Sequence, residues 1–354
     1  MRILQVITSL RTGGAEKLLV DLVVRLRAKG HQVDVALFDG VDTPFKRQLE
    51  ESDSRIFVLG HSMTSPKCIL PLMRLMGKYD VVHTHNTYPQ LYAAFARLFV
   101  RCNLVTTEHN TFNRRRKYFL LRWIDRWMYS EYAAIACISD KACDNLKQEI
   151  GSRNNITTIY NGVDVESFQT AEPLVGLKKN KDAFVVAMVA RFEAQKDQDT
   201  LIKAMSLLPS DTFELWLVGD SYRKAELQKL AKELNVDNRT RFLGIRTDVP
   251  NILRATDAVV MSSHYEGLSL SSIEGMSAGK PFIASDVDGL HEITTGAGIL
   301  FKEGDEQELA DILMRLKTDK EYGQTVAKAC LKRARQYDIS KTVDAYEALY
   351  KSII

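Results

Sequence analysis

The amino-acid sequence predicts an α/β protein with two Rossmann-like domains, each built on a parallel β-sheet. Short apolar runs alternate with longer amphipathic runs, and the alternation restarts near residue 183 after a polar stretch. The 354 residues also exceed the usual size of one compact domain. Such sheets bind ligands at the carboxyl ends of their strands, so two domains facing each other across a cleft would hold two substrates at once.

Six apolar runs in the first half have the length and residue types of buried strands. They cover residues 3–7, 33–38, 56–59, 81–83, 104–107 and 134–138. An amphipathic pattern over residues 15–29, with Leu18, Leu22 and Leu26 on one face, predicts a helix after the first strand.

The second half repeats this pattern, with strand-like runs at residues 184–189, 215–218, 241–243, 258–261 and 282–284. The polar stretch before them contains Pro173, Gly176 and three lysines, which predicts a linker. The expected division is a first domain of residues 1–168, a linker of residues 169–182 and a second domain of residues 183–354. A last helical pattern near residues 340–352 either caps the second domain or crosses back to the first.

The charge is unevenly distributed although its total is only +3. Residues 1–165 carry 23 Lys and Arg against 16 Asp and Glu, and the remainder carries 25 against 29. The basic first half indicates either an anionic partner, such as a membrane surface or a lipid phosphate, or chance variation on a solvated surface. We expect no nucleic-acid partner.

The N-terminal apolar run is too short for a signal peptide, and no stretch approaches the length that spans a bilayer. The five cysteines show no C-x-x-C pair and no metal-ligand spacing, which fits a reducing compartment. We therefore expect a cytoplasmic protein, at most peripheral on the inner face of the cell membrane.

The segment from Glu266 to Glu274 follows a predicted strand and enters a predicted helix. The amides of Leu268, Ser269 and Leu270 fall at the helix start, where free N–H groups and the helix dipole favour an anion such as a diphosphate. Glu274, two turns into the helix, is placed to accept hydrogen bonds from two ribose hydroxyls. Two acids eight residues apart are often plain surface residues, but the small residues after Glu274 favour a helix packed closely on its sheet.

Glycine and histidine residues also follow predicted strands in the first half. Gly13 and Gly14 open the first helix, where a glycine turn lets backbone amides approach a phosphate or a sugar. Three histidines, His83, His85 and His109, lie at two strand ends. A lone histidine is more often structural, and three at two strand ends on the expected cleft side favour a site.

Several short motifs recur in a fixed order over nearly the whole chain. They are Gly13-Gly14-Ala15-Glu16, Tyr160-Asn-Gly-Val-Asp164 with Phe168, Val189-Ala-Arg191 with Lys196, Val218-Gly219-Asp220, Phe242-Leu-Gly244, and residues 266–285 followed by Gly289 and Glu292. Their order and spacing resemble those of glycosyltransferase family four, the group 1 type of bacterial polysaccharide glycosyltransferase, which is retaining and has the GT-B fold.

The resemblance implies a hexosyltransferase-type enzyme that moves a hexosyl or N-acetylhexosaminyl group from a UDP- or GDP-sugar. The implied acceptor is a lipid-linked saccharide or polysaccharide in capsule or lipopolysaccharide biosynthesis. The nucleotide sugar is a co-substrate, and no cofactor or metal is expected. The alternatives are a nucleotide-sugar epimerase of the same fold and a non-enzymatic sugar- or nucleotide-binding module.

The resemblance also implies roles for individual residues. Arg191 and Lys196 would hold the donor phosphates, His109 would contact the donor sugar near the reacting centre, and Glu266 would contact the transferred sugar. One departure is that the family often has glycine after the lysine, whereas this chain has Asp197.

Further residues complete the expected site. The backbone near Gly244 and Arg246 is expected to meet the base, and His85 and Asn86 to line the acceptor side. The D-x-D pattern at residues 286–288 binds metal in other glycosyltransferase folds, but its place after the donor strand favours a turn here.

A basic and aromatic segment lies at residues 114–129. Its first four residues, Arg114, Arg115, Arg116 and Lys117, are candidates for contact with an anionic membrane. In the alternative interpretation, this helix packs on the sheet through Phe119, Trp123, Ile124 and Trp127 while the cations face water.

Overall fold

The computed structural model describes residues 1–11, 13–109, 119–178, 180 and 182–354. The chain forms two compact units, one of Met1–Gly162 with Ile339–Ile354 and the other of Val163–Asp338. Each unit has its own parallel sheet, of seven and six strands, flanked by helices. The predicted α/β class with two Rossmann-like sheets is confirmed.

The first sheet has the strand order β3-β2-β1-β4-β5-β6-β7. Its strands are β1 Arg2–Ile7, β2 Gln32–Leu37, β3 Ile56–Val58, β4 Val81–His85, β5 Asn103–Glu108, β6 Ala134–Cys137 and β7 Ile156–Thr158. Its helices are α1 Gly14–Ala28, α2 Pro44–Glu51, α3 Ile69–Met76, α4 Thr87–Arg97, α5 Phe119–Ser130 and α6 Asp140–Ile150. The apolar face predicted for α1 is buried as expected, with Leu18, Leu22 and Leu26 at most 1% exposed.

The second sheet has the strand order β10-β9-β8-β11-β12-β13. Its strands are β8 Phe184–Val189, β9 Phe213–Val218, β10 Thr240–Gly244, β11 Ala258–Met261, β12 Phe282–Ser285 and β13 Ile299–Phe301. The helices of this unit are α7 Val165–Thr170, α8 Gln198–Ser206, α9 Lys224–Glu233, α10 Val249–Arg254, α11 Leu270–Ser277, α12 His291–Thr294, α13 Glu306–Thr318 and α14 Lys320–Ala334.

The last helix, α15 Ile339–Ser352, belongs to the first unit. Val343, Tyr346 and Tyr350 are buried in that unit's core, and Lys29 forms ion pairs with acids of the helix. Close approach at residue 162 favours this return, because a Cβ on Gly162 would lie 2.7 Å from Cα of Ile339.

The polar stretch taken as a linker is part of the second unit. Leu174 and Leu177 pack against its core, and the amide of Gln169 donates to the backbone carbonyl of Ser277. The units therefore divide between Gly162 and Val163, ahead of the expected first-domain limit at residue 168.

Within the described ranges, no helix is long and apolar enough to cross a membrane.

Candidate active site

The carboxyl ends of β10, β9, β8, β11 and β12 lie side by side, because these strands are parallel neighbours in the second sheet. This edge places the loops that contain Arg191, Lys196, Gly244, Glu266 and Asp288 along one border of the second unit. Most residues that the sequence singled out in the second half therefore lie at one edge.

Lys196 and Glu266 form an ion pair at this edge. Nζ of Lys196 donates to Oε1 of Glu266 at 2.5 Å, and the hydroxyl of Ser263 donates to the same oxygen at 2.7 Å. The two charged side chains are only 15% and 8% exposed. A lysine expected to serve the donor phosphates is thus held by the acid expected at the sugar.

Residue 197 explains the departure from the family pattern. Asp197 has φ +46°, the left-handed region in which glycine is least strained and Asp is better tolerated than most residues. Its carboxylate caps α8 by accepting from the amide and the hydroxyl of Thr200, at 3.3 and 2.6 Å. Burial raises the pKa of this carboxyl. The position needs the conformation of a glycine and here also supplies a helix cap.

The loop after β12 packs against the Glu266 loop at a glycine. Gly289 has φ +84°, and a Cβ there would lie 2.3 Å from the backbone oxygen of Glu266. The amide of Glu266 donates to the carbonyl of Asp288 at 3.1 Å, and the carboxylate of Asp286 contacts Nδ1 of His291 at 2.5 Å. Residues 286–289 form a turn that supports the Glu266 loop.

Helix α11 begins where the sequence indicated. Ser269 caps it by accepting from the amide of Ser272 at 3.3 Å, while Leu268 and Leu270 pack against the core. Glu274 lies in the second turn and is 7% exposed. The helix lies close on the sheet, since a Cβ on Gly275 would be 2.8 Å from Cγ1 of Val259.

Arg191, Gly244 and Arg246 lie farther along the same edge. The guanidinium of Arg191 is paired with Glu193 at 2.9 Å, but its side chain stays 66% exposed. Gly244 has φ +69° and accepts from the amide of Gly219 at 2.8 Å. Arg246 forms an ion pair with Asp248, and the hydrogen bond between them raises the pKa of the guanidinium.

The first sheet has its own polar cluster where β1, β4 and β5 are neighbours. Nδ1 of His85 lies 2.9 Å from Nε2 of His109, and Nε2 of His85 lies 2.8 Å from Oε1 of Gln5. His83 lies between the hydroxyls of Tyr350 and Thr107, at 2.6 and 2.8 Å. The three histidines are brought together as their strand ends suggested.

Burial governs the protonation of this cluster. His83 and His85 are fully buried, which lowers their pKa values well below the ordinary range. Burial also lowers the pKa of His109 to about 4. All three imidazoles are therefore neutral near pH 7.

Asn86 directly follows His85, and the glycine loop follows the neighbouring strand β1. Asn86 has φ +69°, an uncommon conformation that clusters at functional sites, and its amide donates to the hydroxyl of Thr8 at 3.2 Å. Gly13 precedes α1 with an extended φ of −176°, a conformation open to any residue, so backbone conformation does not account for a glycine at this position. A Cβ on Gly13 would meet the carboxylate of Glu16 at 2.2 Å.

The basic residues Arg114, Arg115, Arg116 and Lys117 lie outside the described residues. The described part of α5 bears out only part of the interpretation in which its apolar side chains pack on the sheet, since Trp127 packs against the core but Trp123 and Ile124 do not face it. Trp123 is 61% exposed and Ile124 is 41% exposed.

Among the residues that the structure describes, no group of three or more His, Cys, Asp or Glu side chains is arranged to hold a metal ion.

Sequence reasoning missed four residues of these clusters. Ser263, Gln5 and Tyr350 contact side chains that the sequence had indicated. Tyr346 lies farther out and, among the described hydrogen-bonding groups of the cluster, contacts only the hydroxyl of Thr107. Ser263 was within reach because it follows the same strand as Glu266, three residues earlier. The sequence did not indicate the two tyrosines, because it left open which of the two domains the last helix packs against.

Two family models match the chain. Glycosyltransferase Family 4 matches residues 12–167, and Glycosyl transferases group 1 matches residues 174–336. The UDP-Gal:alpha-D-GlcNAc-diphosphoundecaprenol alpha-1,3-galactosyltransferase of Escherichia coli is 29% identical over 356 residues, covering 91% of this chain and 90% of that protein. The lipopolysaccharide core biosynthesis glycosyltransferase LpsD of Rhizobium meliloti (strain 1021) is 33% identical over 198 residues, covering 54% and 55%.

Solved structures show the same fold. Anabaena Alr3699/HepE in complex with UDP-glucose superposes with a TM-score of 0.83 at 24% identity, covering 99% of this chain and 100% of that one. The fold is therefore GT-B, as the motifs implied. With its two family models together covering most of the sequence, the chain belongs to glycosyltransferase family four, group 1, and is a glycosyltransferase.

Proposed function

We propose that the protein is a retaining glycosyltransferase that moves a hexosyl or N-acetylhexosaminyl group from a UDP-sugar to a lipid-linked saccharide. The observation that carries this proposal is the Lys196–Glu266 pair at the carboxyl edge of the second sheet. UDP is favoured over GDP because the E. coli relative is named for UDP-Gal and the Anabaena structure contains UDP-glucose.

Two cations suit the leaving diphosphate. The ammonium of Lys196 has three N–H donors, and one directed at Glu266 leaves two for phosphate oxygens. Arg191 offers an exposed guanidinium in the same segment after β8 that contains Lys196. Cations fixed at this position stabilise the negative charge that develops on the diphosphate in the transition state.

Glu266 fits an electrostatic role better than a nucleophilic one. Within the described residues, both hydrogen bonds to its carboxylate fall on Oε1, so Oε2 is available to a sugar hydroxyl or to positive charge at the anomeric carbon. The ammonium of Lys196 and the hydroxyl of Ser263 stabilise the carboxylate and so reduce its nucleophilicity. We therefore favour front-face transfer, in which the leaving phosphate takes the acceptor proton and the anomeric configuration is retained.

Two further residues have proposed ligands. Glu274, which lies in the second turn of α11, would accept from ribose hydroxyls. His109 would contact a sugar hydroxyl as a neutral imidazole.

An apolar surface on α4, the turn after it and α5 supports a lipid-linked acceptor and contact with a membrane. Phe95, Phe99, Trp123 and Ile124 are 44%, 65%, 61% and 41% exposed, and exposed Arg122 and Arg126 lie on the same helix as the last two. Aromatic side chains beside cations favour the interface of an anionic bilayer. The expectation is binding to anionic vesicles that weakens in a Trp123→Ser variant; equal binding by both proteins contradicts it.

The direct test is turnover of a donor panel on an undecaprenyl-diphosphate-linked N-acetylglucosamine. We expect UDP-sugars to be consumed and GDP-sugars to be inert, with product carrying the added sugar. Epimerised donor without transfer would favour the epimerase. Glu266→Gln should lower kcat and leave UDP binding in place, and unchanged turnover would remove Glu266 from the mechanism.

A further inference from the structure

The polar cluster of the first unit forms a continuous chain of hydrogen bonds. It runs from His109 to His85, Gln5, Tyr350 and His83, through contacts of 2.9, 2.8, 3.2 and 2.6 Å. It then passes from His83 to Thr107 at 2.8 Å and from Thr107 to Tyr346 at 2.7 Å. His109 is half-buried, and every other member of this hydrogen-bond chain is fully buried.

Gln5 gives the chain its direction. Hydroxyl groups rotate, and a neutral imidazole exchanges tautomers, but an amide has one accepting end and one donating end. Oε1 of Gln5 faces Nε2 of His85, so that nitrogen must carry the proton. Nε2 of Gln5 faces the hydroxyl of Tyr350, which accepts there and is left to donate to Nδ1 of His83.

The position of the proton on His85 determines which nitrogen of His109 is protonated. Since neutral His85 carries its proton on Nε2, its Nδ1 is an acceptor, and Nε2 of His109 must donate to it. Neutral His109 then has no proton on Nδ1. Within the described residues, Nδ1 of His109 has no hydrogen-bond partner, so its lone pair is available to a ligand.

We propose that Gln5 and Tyr350 are positioning residues that hold His109 as the Nε2–H tautomer, with Nδ1 accepting a hydrogen bond from a substrate hydroxyl. The tautomer follows from the orientation of the Gln5 amide, and only the substrate contact rests on the proposed function. The last helix thus has a chemical role: it returns to the first unit and supplies the hydroxyl that accepts from the Gln5 amide.

Two tyrosines on that helix provide a matched pair. Tyr350 lies within the chain, between Gln5 and His83, and Tyr350→Phe removes one donor and one acceptor while keeping the ring. Tyr346 lies at the far end, beyond Thr107, whose hydroxyl still accepts from His83 in Tyr346→Phe. Both side chains are fully buried, so the two variants lose comparable packing.

The test is long-range ¹H–¹⁵N correlation NMR on the full chain labelled at histidine nitrogens. We expect wild type and Tyr346→Phe to show His109 protonated at Nε2, and Tyr350→Phe to shift the tautomer ratio about fivefold, the scale of one neutral hydrogen bond. A wild-type His109 protonated at Nδ1 overturns the proposal, as does an equal shift in both variants.

Enzyme kinetics distinguish a failure of the proposed tautomer from a failure of the proposed function. With a working donor, Tyr350→Phe should lower kcat/KM about fivefold while Tyr346→Phe leaves it unchanged. If the tautomers are as expected and no nucleotide sugar is turned over, the proposed function fails while the hydrogen-bond chain stands.

Discussion

Replacing Lys196 with methionine should reduce both the stability of the second unit and its affinity for the donor. The change removes the ammonium and leaves the carboxylate of Glu266, 8% exposed, with the hydroxyl of Ser263 as its remaining donor. Removing one partner of a buried ion pair costs about 3–5 kcal/mol. Because Lys196 is itself 15% exposed, we expect the lower end, about 3 kcal/mol.

That loss is large enough to measure. A domain of this size shifts its melting temperature by about 2–4 °C per kcal/mol, so Lys196→Met should melt about 6–12 °C lower. The double variant Lys196→Met with Glu266→Gln removes both charges and should regain most of the loss, because a neutral pair carries no uncompensated buried charge.

Arg191→Met is the matched control. Its guanidinium is 66% exposed and paired at the surface, so the stability change should stay below about 1 kcal/mol. Both single variants should weaken UDP binding, measured by titration calorimetry. A Lys196→Met protein that melts like Arg191→Met, or a double variant no more stable than Lys196→Met, would refute the reasoning.

Three other predictions follow from the same structure. Gly289→Ala puts a Cβ 2.3 Å from the backbone oxygen of Glu266, so the loop must move, and turnover should fall about 100-fold by steady-state assay; near wild-type rates would contradict this. Gly275→Ala crowds Val259 at 2.8 Å and should cost about 1–3 kcal/mol in urea unfolding, whereas an unchanged midpoint would mean that α11 shifts freely. Unfolded His109 binds a proton near its ordinary pKa of 6.5 and folded His109 only near 4, so stability is full above 6.5 and falls as the pH drops through this window. His109→Gln should reduce the slope of that part of the urea-midpoint profile without abolishing it, because His83 and His85 also have lowered pKa values, and parallel profiles would argue against a depressed pKa of His109.

The fold was largely predictable because its strands are short, buried and rich in β-branched residues. All eleven predicted strands are present, and the two missed ones, β7 and β13, are three residues long and lie at sheet edges. So short a run carries little periodicity, and an edge position lets polar residues interrupt it. The local sequence pattern could not predict the contacts of the site, because Lys196 and Glu266 are 70 residues apart and only the strand order brings them together.

Two features depended on tertiary contacts that a sequence does not encode locally. The position of α15 is set by the burial of Val343, Tyr346 and Tyr350, which an amphipathic pattern alone assigns to no particular partner. The Asp197 departure was visible, but its meaning required the positive φ at that residue.

We infer that the protein transfers a sugar from a UDP-sugar with retention of configuration. The most direct measurement is the anomeric configuration of the new linkage, read by NMR on product freshly formed from an α-linked UDP-hexose and the lipid-linked acceptor. An α-linked product is the predicted result. A β-linked product would contradict the account.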